Sequence, residues 1–546
     1  MGMIMSCETD RGTRSSAGGA GKLTLLVLGT LWCSAALYAV PIVEAQRRQM
    51  SLSLQETTAM ALQENLDIQI AGLNPRIREA QITEEKGLFD VEARGGFMAS
   101  DARLLETGNA FQDRRRVDGL TGQDNSHQQD VFLGISQRTP YGGSYDVRML
   151  ETHLETSRGV VGNRGRPESP KEPGEKVEYY IGALELRATQ PLLRGAGVAV
   201  TKNRILIAQN NLSISQEDFR QQVITVTSRV QQTYWDLVFR RQDLEVRIRQ
   251  LELAQRLLEQ IRKQVSVGTL APIEVLQAET NIARTRERIL VAENAVGAAD
   301  DRLKRVMNLS LSGDLADVEL LPTDTPTYTA PEFDPQELIK QALENRPDLA
   351  EARLTLENQN IALVVDKNQV LPALDLEGTL RFNGLNDTFG SSFDEFDLQS
   401  RYRWDVGVVF RYPLANRRAK SRLQQSGLAI RQQLLRIKNL EEDIIAQVRL
   451  AARDVWTNAQ RVQASRAASR LAEKQLEAEE KKLQVGLATV FTVLDFQEDL
   501  AVERSNEINA LTEYLKALVR LEEAKGTLLL SYNIILQSDS PRLQGR

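Results

Sequence analysis

"KQVSVGTLAPIEVLQAE" (residues 263–279) returns in altered form as "KKLQVGLATVFTVLDFQ" (residues 481–497). One offset of 218 carries Lys263 to Lys481, Gly268 to Gly486, Val275 to Val493 and Leu276 to Leu494. A glycine closing a helix-like stretch ends it by entering the left-handed region. Thr269 and Pro272 then suit the first turn of a return helix. The residues are consistent with a long helix ending at each glycine, either in a plain helix-ending turn or in a turn into a return helix.

The stretches that lead into these turns lack breakers: there is no Gly or Pro between Gly197 and Gly268, or between Gly427 and Gly486. Helices of roughly 60 to 70 residues would be about 100 Å long and cannot fold back into a compact core. The first carries Val223, Val230, Leu237, Leu244, Leu251, Leu258 and Val265 at seven-residue spacing. The second carries Val448, Val455, Val462, Leu476 and Leu483, interrupted by Ser469. A sustained heptad predicts left-handed supercoiling against partner helices. Charge runs such as "RRQDLEVRIRQ" read as solvated faces.

The duplication extends upstream. "SLQETTAMALQENLDI" (53–68) resembles "DPQELIKQALENRPDL" (334–349), and an offset of 281 matches Ala61 and Leu62 to Ala342 and Leu343. Each opens a shorter helical segment, ending near Gly87 in one copy and before Pro372 in the other. The two offsets differ, so the first copy holds roughly 63 extra residues between its helices.

Between the helices the period changes from seven to two. In "YRWDVGVVFRYPL", Tyr402, Trp404, Val406, Val408, Phe410 and Tyr412 share one face, opposite Arg403, Asp405, Gly407, Val409 and Arg411. About ten residues with aromatics toward both ends suit a strand that crosses a bilayer, although a soluble sandwich gives the same alternation. "ALDLEGTLRF" alternates likewise, as do "DVEARGGFMAS", "DVFLGISQ", "YDVRMLE" and "YIGALELRATQPLL" in the first copy. "RTPYGG" (138–143) is a compact turn, whereas 101–127 and 155–176 are long and polar. That asymmetry is the one found in outer-membrane barrels. The extra residues read as one additional hairpin, giving four strands in the first copy and two in the second; a single long external loop is the alternative. Four or six strands cannot close a barrel, and an open edge is not tolerated in lipid, so the sheet must be completed by oligomerisation.

Length and charge bound the rest. The chain has 546 residues, a formal net charge of −6 and a pI near 5.5. It has no basic footprint for nucleic acid. Arg11, Arg14 and Lys22 precede an apolar run from Leu23 to Val40, followed by Pro41 and small residues at Val43 and Ala45. This is the order of a secretory signal over residues 1–45, with an uncleaved membrane anchor as the alternative. Trp32 before Cys33 excludes a lipoprotein site, and removal of the signal takes both cysteines, Cys7 and Cys33, with it. The expected divisions are then a first repeat over 46–322, a linker over 323–334, a second repeat over 335–536 and a tail over 537–546. His127 and His153 are isolated, and no phosphate-binding or nucleophile-elbow motif occurs. We expect no catalysis, no metal and no cofactor.

The paired order of helix, strands, long helix and "VG…VL" turn resembles the TolC-type outer-membrane efflux proteins over roughly residues 50–535. "TQPLLRGAG" (189–197), with Gln190, Pro191 and Leu192, resembles a strand-to-helix junction of one branch of that family. The resemblance implies a mainly helical protein with β structure: a homotrimer that pools strands into an outer-membrane β-barrel and helices into a coiled-coil tube across the periplasm. It implies a passive exit duct for tripartite efflux or type I secretion, docked through a periplasmic adaptor onto an inner-membrane pump. On that likeness, Val267, Gly268 and Thr269, with Val485, Gly486 and Leu487, form the periplasmic tips. The family's acidic rings follow the second turn. Asp495 falls on one such position, the companion position is Thr492 here, and Glu274 lies after the first turn. A secreted or periplasmic coiled-coil adhesin or envelope spacer shares the heptads and the signal. The aromatic-ended strand and the duplicated tip favour the duct.

Overall fold

The structure, a computed structural model, describes residues 49–106, 122–156, 177–309, 318–394 and 401–534. The expected signal segment and C-terminal tail lie outside the described residues. The first half runs β1 (Gln49–Leu52), α1 (Leu54–Glu64), α2 (Leu66–Lys86), a 3-10 turn (Gly87–Phe89), β2 (Glu92–Glu106), β3 (Gly122–Arg138), β4 (Ser144–Thr156), β5 (Val177–Pro191), α3 (Val198–Thr201), α4 (Asn203–Ser266) and α5 (Ile273–Val306). The second half runs β6 (Glu319–Pro322), α6 (Pro335–Asn345), α7 (Pro347–Gln369), β7 (Ala373–Asn386), β8 (Tyr402–Arg411), α8 (Arg417–Gln484), α9 (Val490–Lys525) and α10 (Leu528–Ser531).

The heptads place α4 and α8 as read. The 64 residues of α4 and the 68 of α8 span about 100 Å each. Val223, Val230 and Leu237 are fully enclosed, as are Val455 and Val462 on α8, where Ser469 is buried in line with them. One expectation needs correction: α8 starts ten residues before Gly427 and runs through it. Nothing lies within 4 Å of a Cβ built on Gly427, so this glycine adds flexibility without breaking the helix. The shorter helical segments are also each divided in two. Asn65 caps α2 by accepting from the Ile68 N–H at 3.1 Å, and Pro347 at the first turn of α7 fixes the second break.

The six longer strands form one antiparallel sheet in the order β2-β3-β4-β5-β7-β8. Four strands come from the first half and two from the second, so the extra residues hold a hairpin and not a single loop. β2 and β3 pair from Glu92↔Ser136 to Glu106↔Gly122 and so run beyond the expected strand into segments read as loop. A second sheet was not legible: β1 and β6 pair in parallel, Gln49↔Glu319 to Leu52↔Pro322. It packs on α4, where the Tyr234 hydroxyl donates to Asp324 Oδ2 at 2.6 Å and the Leu54 N–H donates to the same oxygen at 2.6 Å. Burial pushes the Tyr234 phenol well above its ordinary value. The segment expected as a linker has no regular structure, yet Asp324 and Tyr328 anchor it; the Tyr328 and Tyr514 rings are 5.3 Å apart.

Three apolar cores follow the long helices. The first joins β1, α1, α4, α5, β6 and α10 around Tyr234 and Leu303. The second joins α6, α7, α8 and α9 around Ile444 and Tyr514. The third lies beside the turns, around Ile261, Ala278, Val490 and Val493.

Candidate functional site

The register sorts the sheet into two unlike faces. One cross-strand row runs Trp404, Leu380, Leu186, Val147, Ile135 and Ala93. On this face Tyr402, Trp404 and Phe410 are exposed, with Trp404 and Phe410 both at 64%, and Phe97, Leu133 and Met149 continue the apolar surface. Tyr412 falls one residue past β8 and is also exposed. The opposite face carries the row Arg403, Arg381, Glu185, Arg148, Gly134 and Arg94, and beside it Asp405, Thr379, Arg187, Asp146, Ser136 and Glu92. Ion pairs within strands link the rows: Arg94 to Glu92 at 2.7 Å, Arg187 to Glu185 at 3.0 Å and Arg403 to Asp405 at 2.9 Å. An apolar face about ten residues tall backed by a charged face is the division a channel wall needs, with lipid on one side and water on the other. The outermost strands β2 and β8 each have one neighbour in the sheet.

Below the sheet lies a collar where strands hand over to helices. The Leu192 N–H donates to the Leu374 carbonyl at 2.7 Å, just after Gln190 and Pro191 close β5. The Gly195 N–H donates to Asn368 Oδ1 at 2.7 Å, and the Gly197 N–H to the Tyr141 carbonyl at 3.2 Å. The compact turn thus presses on this junction. Gly142 has φ +98°, and a Cβ there would sit 2.2 Å from the Gly195 carbonyl oxygen. Asn416, in the left-handed region at φ 43°, starts α8 and donates from its amide to the Val370 carbonyl at 2.9 Å.

At the far end the two turns share one hydrogen-bond pattern. Gly268 N–H donates to Val265 O at 3.1 Å and Thr269 N–H to Gln264 O at 2.9 Å. Gly486 N–H donates to Leu483 O at 3.1 Å and Leu487 N–H to Lys482 O at 2.8 Å. Gly268 and Gly486 have φ +79° and +77°; nothing lies within 4 Å of a Cβ at either, so the requirement is backbone conformation and not space. The tips hold apolar side chains in solvent: Val267 is 76% and Leu487 79% exposed, and Val485, Ile273 and Phe491 extend the patch.

Asp495 is exposed one turn into α9, while Thr492 is spent on the cap, its N–H donating to Thr489 Oγ1 at 3.2 Å. Glu274 is half-buried, with Oε2 enclosed and without a partner. Sequence reasoning missed Asp499, one further turn along α9. Desolvation, then the charges of Asp495, Glu498 and Glu503, holds its carboxyl above the usual range. Its signal was the four-residue spacing from Asp495. The two histidines lie apart: His127 Nδ1 is 3.4 Å from Asp101, and His153 stacks on Tyr180 at 4.5 Å. Among the described residues no group of three or more His, Cys, Asp or Glu side chains is placed to hold a metal.

A two-faced strand sheet set on helices of about 100 Å is the architecture of an outer-membrane channel protein. The family model for outer membrane efflux proteins matches residues 182–309 and 338–527, more than half of the chain, and the chain belongs to that family. It is a protein of the outer membrane, with its helical tube in the periplasm. It is 25% identical over 317 residues to outer membrane protein TolC of Vibrio cholerae, covering 55% of this chain and 67% of that one. It is 25% identical over 336 residues to pyoverdine export outer membrane protein OpmQ of Pseudomonas putida, covering 58% and 65%. The chain thus spans about two thirds of the length of these relatives. In fold it is similar to the CmeC outer membrane channel of Campylobacter jejuni, with TM-score 0.58, 16% identity and coverage of 87% and 86%. It is likewise similar to the open-state MtrE channel of Neisseria gonorrhoeae, with TM-score 0.58, 15% identity and coverage of 87% and 89%.

Proposed function

We propose that three copies of this chain, built by internal duplication, form a passive exit duct from the periplasm through the outer membrane. The observation that carries this reading is the sheet: its outer face is apolar, its inner face is charged, and its strands β5 and β8 hand over to α4 and α8, each about 100 Å from end to end. A sheet with two open edges is incomplete in lipid, and the helices are unfinished on the same two flanks. Next to β2, α2 exposes Leu66, Ile70, Leu73 and Ile77 at helical spacing; next to β8, α8 exposes Leu428 and Leu435. A ring of copies covers both flanks at once.

The tips at Val267, Gly268, Thr269, Val485, Gly486 and Leu487 dock a periplasmic adaptor, which couples the duct to an inner-membrane transporter. Their support is the shared turn geometry and the exposed apolar side chains. Energy comes from that transporter, and the cargo is small molecules in efflux or proteins in type I secretion. Asp495 narrows the lumen above the tips, supported by its exposure and by Asp499 one turn further. Glu274 and Thr492 flank this constriction without supplying a free carboxylate ring. Outer-membrane fractions washed with carbonate test the reading: the mature chain stays in the membrane if the sheet is a barrel wall. Release of the chain into the soluble fraction sinks the duct and leaves a periplasmic coiled-coil spacer.

A further inference from the structure

The two halves of the chain contribute unequally to the sheet. The second sets one hairpin, β7–β8, between its helices; the first sets four strands, β2 to β5, in the corresponding place. The family match begins at residue 182, within β5, so β2, β3 and β4 lie outside it. These strands are nonetheless full members of the wall. β2 pairs with β3 along all 15 of its residues. The charged row that begins at Arg403 on β8 reaches Arg94 on β2, and the apolar row that begins at Trp404 reaches Ala93.

Glycines specify this added pairing. A Cβ on Gly96 would come within 2.5 Å of the Phe132 ring, so the ring lies over the glycine on the inner face. A Cβ on Gly134 would meet the Val147 carbonyl oxygen at 2.8 Å, which sets the close approach of β3 to β4. A hairpin lying loosely against the wall would not require either glycine.

We infer that three copies close a barrel of eighteen strands, in which β8 of one copy pairs antiparallel with β2 of the next, and that the added hairpin sets a wide lumen. The inference rests on the threefold reading above. Six strands is an even number, so β2 leaves its helix as β8 returns to one; a neighbour's β2 therefore continues the meander without a crossover. The same step keeps the apolar face outside and the charged face inside. With strands about 4.8 Å apart and tilted about 40°, eighteen strands give a wall roughly 36 Å in diameter. One hairpin from each half would give twelve strands and a wall of about 24 Å by the same relation. Allowing about 5 Å of side chain on each side, the wider barrel admits cargo up to roughly 25 Å across, the size of a folded peptide or a bulky amphiphile.

Cryo-electron microscopy of the full mature chain in lipid nanodiscs tests this. The expected result is a threefold particle whose wall contains eighteen strands, with β8 beside the neighbour's β2. A threefold particle with a twelve-strand wall and one hairpin displaced overturns the wide barrel and leaves the exit-duct reading standing. A particle without a threefold ring overturns both.

Discussion

Glu351 on α7 faces Asp218 on α4, with Asp348 and Glu217 nearby. Burial first, then the hydrogen bond and charge of Asp218, push the Glu351 carboxyl up to about 8 from an ordinary 4.5. The folded chain therefore holds a proton there that the unfolded chain releases near pH 4.5. Its contribution to stability is complete below that pH and is lost as pH rises through about 8. Each pH unit within the window is worth at most about 1.4 kcal/mol. Because Glu351 is only half-buried and Asp218 is exposed, screening reduces the whole window to about 1–2 kcal/mol. Glu351→Gln keeps the hydrogen bond and removes the charge. Thermal unfolding of the detergent-solubilised protein should show the native chain losing about 1–2 °C between about pH 6 and pH 9 relative to the Gln variant. If both chains lose the same amount over that range, the shared proton is not what links α4 to α7 and the reasoning fails.

Four further outcomes follow from the glycines and the tip. Gly142→Ala forces a Cβ against the Gly195 carbonyl at a positive φ and should cost about 2–4 kcal/mol at the collar, read as loss of heat-stable assembly. Gly427→Ala, in an open helix interior, should instead stabilise by roughly 0.5–1 kcal/mol in the same measurement. Gly486→Pro, or a bulky residue at Val267 or Val485, should abolish export while the washed outer membrane keeps normal amounts of protein; loss of insertion would assign the turns to folding instead. Asp495→Lys should change single-channel conductance and cation block in planar bilayers, and identical traces across ionic conditions would remove Asp495 from the constriction.

What could be read from sequence was whatever water or lipid imposes along a continuous stretch. The heptads of α4 are periodic because one face packs on apolar neighbours, and the alternation of β8 is periodic because one face is apolar and exposed along the whole strand. β2 and β3 extend past the expected strands: Asp101, His127 and Gln129 continue the apolar face's rows with polar residues while Ser126 and Gln128 lie opposite, and without an apolar face alternation has nothing to report. The β1–β6 sheet was invisible for another reason. Each strand has four residues, too few to show a period, and its partner lies some 270 positions away. Asp324 looked like linker because its role depends on Tyr234 and Leu54, which only the fold brings to it. At the tip the glycines were legible because backbone conformation alone requires them. The enclosed Oε2 of Glu274 was not, since burial at a helix start depends on which neighbours pack there.

The exposed edges also constrain how the protein reaches its membrane. β8 has ten residues and a neighbour on one side only, so about half of its backbone N–H and C=O groups point outward without a partner. In hydrocarbon each such group costs several kcal/mol, and an inserted single copy would carry a penalty of tens of kcal/mol across its two edges. In water those groups are satisfied, but Trp404, Val406, Val408 and Phe410 then remain exposed together. Neither medium accommodates the lone sheet. The helices have no such conflict, because their backbone bonds are internal and α4 and α8 already pack on α5, α7 and α9. In the proposed ring of copies, helical packing can therefore precede membrane entry, while edge pairing accompanies it. The exposed stripes on α2 and α8 suit that order: they lie beside β2 and β8, so copies brought together through these helices present their sheet edges to one another before lipid is reached.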